Sequence, residues 1–186
     1  MKSSGHQKSD STLTVLCVDL DGTLIRDDAS VKSFFMLLAK NPLRIFSAIL
    51  WLRRGRVHLK REIARRIAIN PAAFSYREDV LLFLREEKTR GRTLVLATAS
   101  DQIYADVIAN HVGIFDAALG SDGVTNLSGP RKRAALAARY GAFSYMGNSR
   151  DDLAVWQGAE EAFAVGVPPK ILQKLRQFKN PIRVFL

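Results

Sequence analysis

A single cysteine, Cys17, among 186 residues leaves no possibility of an internal disulfide framework and points to a reducing, cytoplasmic setting. Long apolar runs are also missing. Between Phe34 and Leu52 the polar residues Lys40, Asn41, Pro42 and Arg44 intervene, so the longest clean run is about ten residues, half of what a spanning helix needs. No glycine-rich nucleotide loop and no nucleic-acid motif is present, and nucleic acid is not expected as a partner. The three histidines, His6, His58 and His111, lack the spacing of metal ligands. Residues 1–12 are polar, lack the apolar stretch of a signal peptide and read as a disordered leader.

Acidic residues are the scarce charge: 18 Asp and Glu face 28 Lys and Arg, for a net charge of +10. The excess is localised. Residues 40–66 carry nine basic side chains against Glu62 alone, and residues 170–183 carry five with no acid. Such a field favours anionic partners such as phosphate esters or anionic lipid, although a solvated charged face has the same composition.

The apolar patterning is that of an α/β chain. The run from Leu13 to Val18 reads as a buried strand, and so does the run from Thr93 to Ala97. Phe115 to Leu119, Ser144 to Met146 and Ala162 to Val165 are further strand candidates, separated or followed by helices near 101–112, 130–140, 150–159 and 168–178. An amphipathic helix over 77–90 turns Val80, Leu81 and Leu84 inward and ends at Gly91. Regular alternation from residue 77 onward predicts a parallel sheet covered on both faces. The helical stretch over 31–68 breaks at Asn41-Pro42 and near Gly55, stands outside that alternation and has the position of a lid. It reads as helices packed on their own domain, or as a pair lying on a membrane surface with arginines at the headgroups. Trp51 and Trp156 read as packing residues, and Trp51, beside Arg53 and Arg54, also suits a membrane interface.

The sharpest chemical signal is Asp19-Leu-Asp21-Gly22-Thr23-Leu24, directly after the first strand. In open parallel sheets ligands bind beyond the carboxyl ends of the strands, which puts both carboxylates in the site. One aspartate can attack phosphorus and become an aspartyl phosphate. The other can protonate the leaving oxygen and then activate water. The hexapeptide arises by chance in roughly one chain of several thousand, so a mere capping pair is the weaker reading.

These residues resemble the first motif of the haloacid dehalogenase (HAD) superfamily, and its other motifs follow in order. Leu96-Ala-Thr98-Ala-Ser100 matches the second, with Thr98 as phosphate ligand. Gly129-Pro130-Arg131-Lys132 matches the third, a lysine in the first turn of a helix that offsets the charge of phosphate and carboxylate together. Arg131 and Arg133 flank it, and the choice of Lys132 rests on family position. Gly147-Asn148-Ser149-Arg150-Asp151-Asp152 resembles the acidic fourth motif, with Asn148 where the first Asp is usual. The resemblance implies a magnesium ion held by Asp19, the Asp21 carbonyl, Asp152 and Asn148, with Asp151 as an alternative ligand or helix cap. An Asn carbonyl is the poorer, neutral ligand.

A narrower resemblance, from Leu16 to about Phe178, is to the cytosolic HAD domain that precedes UbiA-type prenyltransferase domains in some bacterial fusions. It rests on the segments 17–25, 94–101, 121–127 and 147–153. It implies a polyprenyl-linked phosphosugar as substrate and a membrane prenyltransferase as partner. The expectation is therefore a three-layer, HAD-like Rossmannoid α/β core over 13–28 and 76–186, with a small helical cap at 29–75 that selects the leaving group. Asp19 and Asp21 would be catalytic, Thr98 and Lys132 would bind phosphate, and peripheral contact with the inner face of the membrane would run through the basic cap. The rival expectations are a non-catalytic docking module of the same fold and a nucleic-acid-end phosphatase supported by charge alone.

Overall fold

Alternation within the apolar strands divides their side chains between two helical layers. The computed structural model describes residues 13–186, so the expected leader at 1–12 lies outside the described residues. Strand β1 (Val15–Val18) is flanked by β2 (Leu94–Asp101) and β4 (Phe143–Gly147). With β3 (Ala117–Ser121), β5 (Ala162–Val165) and β6 (Ile182–Phe185) it forms a six-stranded sheet of order β3-β2-β1-β4-β5-β6, parallel throughout.

Leu16, Val18, Leu94 and Leu96 point to one face, packed by Val80 and Leu84 of α4 (Glu78–Thr89) and by Tyr104 and Ile108 of α5 (Gln102–Val112). Cys17, Val95, Ala97 and Tyr145 point to the other, against Leu136 of α6 (Gly129–Tyr140), Trp156 of α7 (Leu153–Trp156) and Leu175 of α8 (Pro169–Leu175). Burial pushes the Cys17 thiol up to about 12, so it is an inert core group.

Two expectations change in detail. The helix expected over 150–159 is a 3-10 turn, Arg150–Asp152, running into the four-residue α7. Strand β6 was not legible in the sequence. It is a short edge strand held by main-chain pairing to β5, and Arg183 and Val184 at its centre are exposed, so no apolar pattern announces it.

The insertion after β1 folds as α1 (Ala29–Lys40), α2 (Arg44–Arg53) and α3 (Arg56–Ala64), closed by a 3-10 turn at Pro71–Ala73. Asp28 caps α1 by accepting from the Val31 amide, and Asn70 caps the 3-10 turn through the Ala72 amide. The breaks fall at Asn41-Pro42 and at Gly55, whose φ of 108° disfavours a side chain. The cap has its own small core of Leu37, Ile63 and Ile67, with Phe34, Met36, Trp51 and Leu59 packed against it. Trp51 lies under the Arg66 guanidinium, 4.6 Å from the ring centre, and so serves packing within the cap. Polar contacts fasten the cap to the sheet: Lys60 Nζ donates to Ala99 O at 2.9 Å, and Arg61 Nη1 to the buried Asp101 Oδ1 at 2.8 Å. At its base the Ser75 amide donates to Asp27 Oδ2 at 2.7 Å, joining the cap's two ends.

Candidate active site

Strand order reverses beside β1: the chain runs outward through β2 and β3, then returns to place β4 on β1's other side. Such a switch point opens a crevice at the carboxyl ends of the strands. Asp19 sits there, its amide donating to Met146 O of β4 at 2.9 Å. The chain then turns sharply, with the amides of Thr23, Leu24 and Ile25 all directed at Leu20 O. Gly22 makes the turn at φ 78°, and a Cβ there would stand 2.0 Å from Asn148 Nδ2.

Lys132, placed in the first turn of α6 by Pro130, reaches inward to donate from Nζ to Asp19 Oδ1 at 2.7 Å and to Tyr145 Oη at 2.9 Å. Tyr145 in turn donates to Asp152 Oδ1 at 2.6 Å. The chain Asp19–Lys132–Tyr145–Asp152 is buried throughout. Burial, reinforced by the charges of Asp152 and Asp21, pushes the Asp19 carboxyl up to about 7 against the pull of Lys132. Burial alone would lower the Lys132 ammonium, but the Asp19 and Asp152 charges outweigh it and hold it above the lysine range. Tyr145 is pushed well above its ordinary value, by burial first and then by Asp152, and stays a phenol.

Asp21 occupies a second network. Its Oδ1 accepts from the Ala29 amide at 2.7 Å, and its Oδ2 accepts from Ser100 Oγ at 2.7 Å and from Thr98 Oγ1 at 3.3 Å. The Ser100 and Ser30 hydroxyls share a 3.0 Å hydrogen bond, so the first turn of α1 touches the Asp21 environment twice. Burial, followed by the charge of Asp28, raises the Asp21 carboxyl, and the Ala29 amide opposes the rise. A carboxyl so placed is disposed to carry a proton. Thr98 is fully buried, with its hydroxyl also accepting from the Ser100 amide at 2.9 Å.

Asp152 anchors the loop after β4: Oδ2 accepts from the amides of Asn148 and Ser149 and from Ser149 Oγ, at 2.8 to 3.1 Å. Both its oxygens are thus engaged inside the protein. Gly147 leaves the room for this, since a Cβ there would lie 2.7 Å from Asp152 Cγ. Among the described residues no group of three or more His, Cys, Asp or Glu is gathered for a metal ion. The Asn148 side-chain amide, without a hydrogen-bond partner among the described residues, lies over Gly22, with Nδ2 nearest to where a Gly22 Cβ would stand. Asp19, the Asp21 carbonyl and Asn148 carry oxygen donors of the kind a hard cation such as magnesium takes, but the Asn148 atom nearest the turn is Nδ2, and the two Asp19 oxygens accept from Lys132 and Thr23.

The structure therefore brings Asp19, Lys132 and Asp152 into one network and Asp21 and Thr98 into a neighbouring one, with Asn148 above the turn. Sequence reasoning missed Tyr145, Ser100 and Ser30. Ser100 could have been found from parity, because it follows Thr98 by two and shares its face of β2. Tyr145 carried a weaker signal, its position on the sheet face that takes α6.

No family model matches the chain. An uncharacterized protein of Sinorhizobium fredii, y4nM, is 38% identical over 175 residues, covering 94% of this chain and 34% of that protein. The chain thus spans about a third of the length of the curated relative it matches. A phosphoserine phosphatase in apo form is similar with a TM-score of 0.61 at 14% identity, covering 92% of each chain. A HAD family hydrolase from Salmonella enterica serovar Typhi is similar with a TM-score of 0.59 at 14% identity, covering 87% of this chain and 65% of that one. The likeness is one of fold. The chain has a HAD-like α/β fold with a six-stranded parallel sheet and a helical cap after the first strand.

Proposed function

We propose that this HAD-fold chain is a magnesium-dependent phosphomonoester hydrolase working through an aspartyl phosphate. The observation that carries the reading is Lys132 Nζ at 2.7 Å from Asp19 Oδ1, with Asp21 two residues on, at the switch point of the sheet. Asp19 attacks phosphorus and the ester P–O bond breaks, the leaving oxygen taking a proton from Asp21. Asp21 then removes a proton from water, which attacks the aspartyl phosphate, releasing inorganic phosphate and free Asp19. Lys132 offsets the charge gathered as Asp19 meets phosphate, and Thr98 would serve a phosphate oxygen once its hydroxyl turns from Asp21 Oδ2. Magnesium, held by Asp19, the Asp21 carbonyl and Asn148, would draw negative charge from the phosphoryl oxygens. Asp152 acts on the metal loop by anchoring the amides of Asn148 and Ser149.

The folds of a phosphoserine phosphatase and a HAD family hydrolase support the reaction class. The narrower sequence resemblance carries the proposal further, to a polyprenyl-linked phosphosugar as substrate, a membrane prenyltransferase as partner and a cytoplasmic setting. The test is hydrolysis of an aryl phosphate with and without magnesium, in wild type and Asp19→Asn. Magnesium-dependent turnover that the substitution abolishes is the expected result. The second reading, a non-catalytic docking module, is favoured by the neutral Asn148 and the internally engaged Asp152. Failure to bind magnesium or a phosphate analogue would select it.

A further inference from the structure

Helix α2 is covered by the rest of the molecule along a thin line: Ala48 is its one buried residue. Leu43, Phe46, Ile49 and Leu50 form an outward stripe at helical spacing, with Leu43 71% and Phe46 66% exposed. Phe35 of α1, 64% exposed, lines a neighbouring cavity together with Leu52 of α2. Single exposed apolar residues are ordinary on protein surfaces, but a row of four on one face of one helix is not.

We propose that this α1–α2 face docks on an anionic lipid bilayer, with the stripe at the boundary between headgroups and acyl chains. Charge selects the occupant. Residues 29–61 contain eight Lys and Arg and no acid. Lys60 and Arg61 are used to fasten the cap, and Lys32 pairs with Asp27. Lys40, Arg44, Arg53, Arg54 and Arg56 make no side-chain hydrogen bond or ion pair among the described residues. Arg53 and Arg54 follow Ile49 and Leu50 by one helical turn, so free cations border the apolar stripe as they do on helices lying in a membrane interface. Their long stems let the charges reach lipid phosphates while the apolar side chains sink. A second copy of the chain fits poorly, because a two-fold contact would bring the same arginines face to face.

The shape of the face agrees. A cavity of about 360 Å³ opens between α1 and α3, with Phe34, Phe35 and Leu52 on its apolar side and Asp28, Arg56 and Lys60 on its charged side. Ser30 is bonded to Ser100, which is bonded to Asp21, so one wall of the cavity is tied by hydrogen bonds to the Asp21 end of the sheet. Hydrocarbon entering from a bilayer would lie there. Among the described residues no helix is long and apolar enough to cross a membrane, and docking of this kind needs none.

Flotation with vesicles of equimolar phosphatidylcholine and phosphatidylglycerol, against pure phosphatidylcholine, tests the proposal. The wild-type chain should float with the anionic vesicles and not with the neutral ones. Phe46→Glu with Leu50→Glu, and separately Arg53→Glu with Arg54→Glu, should each lower the bound fraction tenfold or more, since each cation near an anionic surface is worth roughly fivefold in partition. Both variants alter exposed positions, and unchanged circular dichroism and melting would show intact folds. Asp19→Asn should float like the wild type, which separates docking from catalysis. The proposal is overturned if the wild type stays unbound at low salt or if the Phe46/Leu50 variant floats undiminished. It is equally overturned if sedimentation shows a dimer that Leu50→Glu dissociates while no flotation occurs, which would assign the face to a second copy.

Discussion

The Lys132 ammonium and the Asp19 carboxylate, 113 residues apart in sequence, meet at 2.7 Å with both side chains shielded from water. At that depth the pair governs the protonation state of Asp19. Lys132→Met would remove the one cation that opposes burial at Asp19, already pushed up to about 7. Asp19 would then hold its proton at neutral pH. Hydrolysis of an aryl phosphate should fall by about a hundredfold or more at pH 7, with partial recovery at higher pH as Asp19 ionises.

Tyr145 transmits order between the two ends of this network. Tyr145→Phe keeps the ring that packs edge-on against Trp156 and removes the hydroxyl that joins Lys132 to Asp152. The loss leaves a buried acceptor short of one partner and should cost about 1–3 kcal/mol in urea unfolding. Because Asp152 anchors the Asn148 amide, the half-saturating magnesium concentration should also rise.

Asn148→Asp restores a second carboxylate beside the turn. Magnesium prefers charged oxygen ligands, so affinity measured by calorimetric titration should increase about tenfold or more. The metal-free variant should melt earlier than wild type, since it adds a negative charge beside Asp19 and Asp21.

Acid should loosen the base of the cap. The Ser75 amide, followed by the Lys32 charge, holds the Asp27 carboxyl below the ordinary carboxylate range despite slight burial. A depressed folded value means that the stabilisation is complete above the ordinary range and is lost as pH falls through the folded value. The protection of the Ser75 amide against exchange, relative to its intrinsic rate at each pH and followed from pH 5 downward, should fall in that window. In Asp27→Asn the pH-dependent part should disappear.

At the opposite end of the sheet, Arg92 is buried and donates to Glu87, Glu161, Ser144 and the Thr14 carbonyl. Arg92→Met would leave Glu87 with Arg90 alone, at 2.7 Å, and its Oε2 without a partner. A loss of about 3 kcal/mol in unfolding free energy is expected, with hydrolysis per folded molecule unchanged.

The sequence by itself determined the α/β alternation, the helical insertion after β1 and the order of the candidate site segments. These are local properties: continuous apolar runs of strand length, helix breaks at Asn41-Pro42 and Gly55, and a carboxylate pair directly after a strand can be read within a few residues. Asp19 and Asp21 stood out as paired carboxylates after an apolar strand, whereas Thr98, Lys132, Asn148 and Asp152 were singled out by the resemblance to the HAD motifs. Only tertiary structure decided which of them touch. The two-residue periodicity that puts Tyr145 on the α6 face says nothing of its bond to Lys132. The link from Asp21 through Ser100 to Ser30 depends on how α1 seats against β2. Strand β6 escaped notice because edge pairing is a main-chain interaction that needs no side-chain pattern. Exposure of the α2 stripe was likewise undecidable in sequence, since an apolar stripe at helical spacing marks an interior face and an uncovered one alike, and only the packing of the whole chain leaves one of them bare.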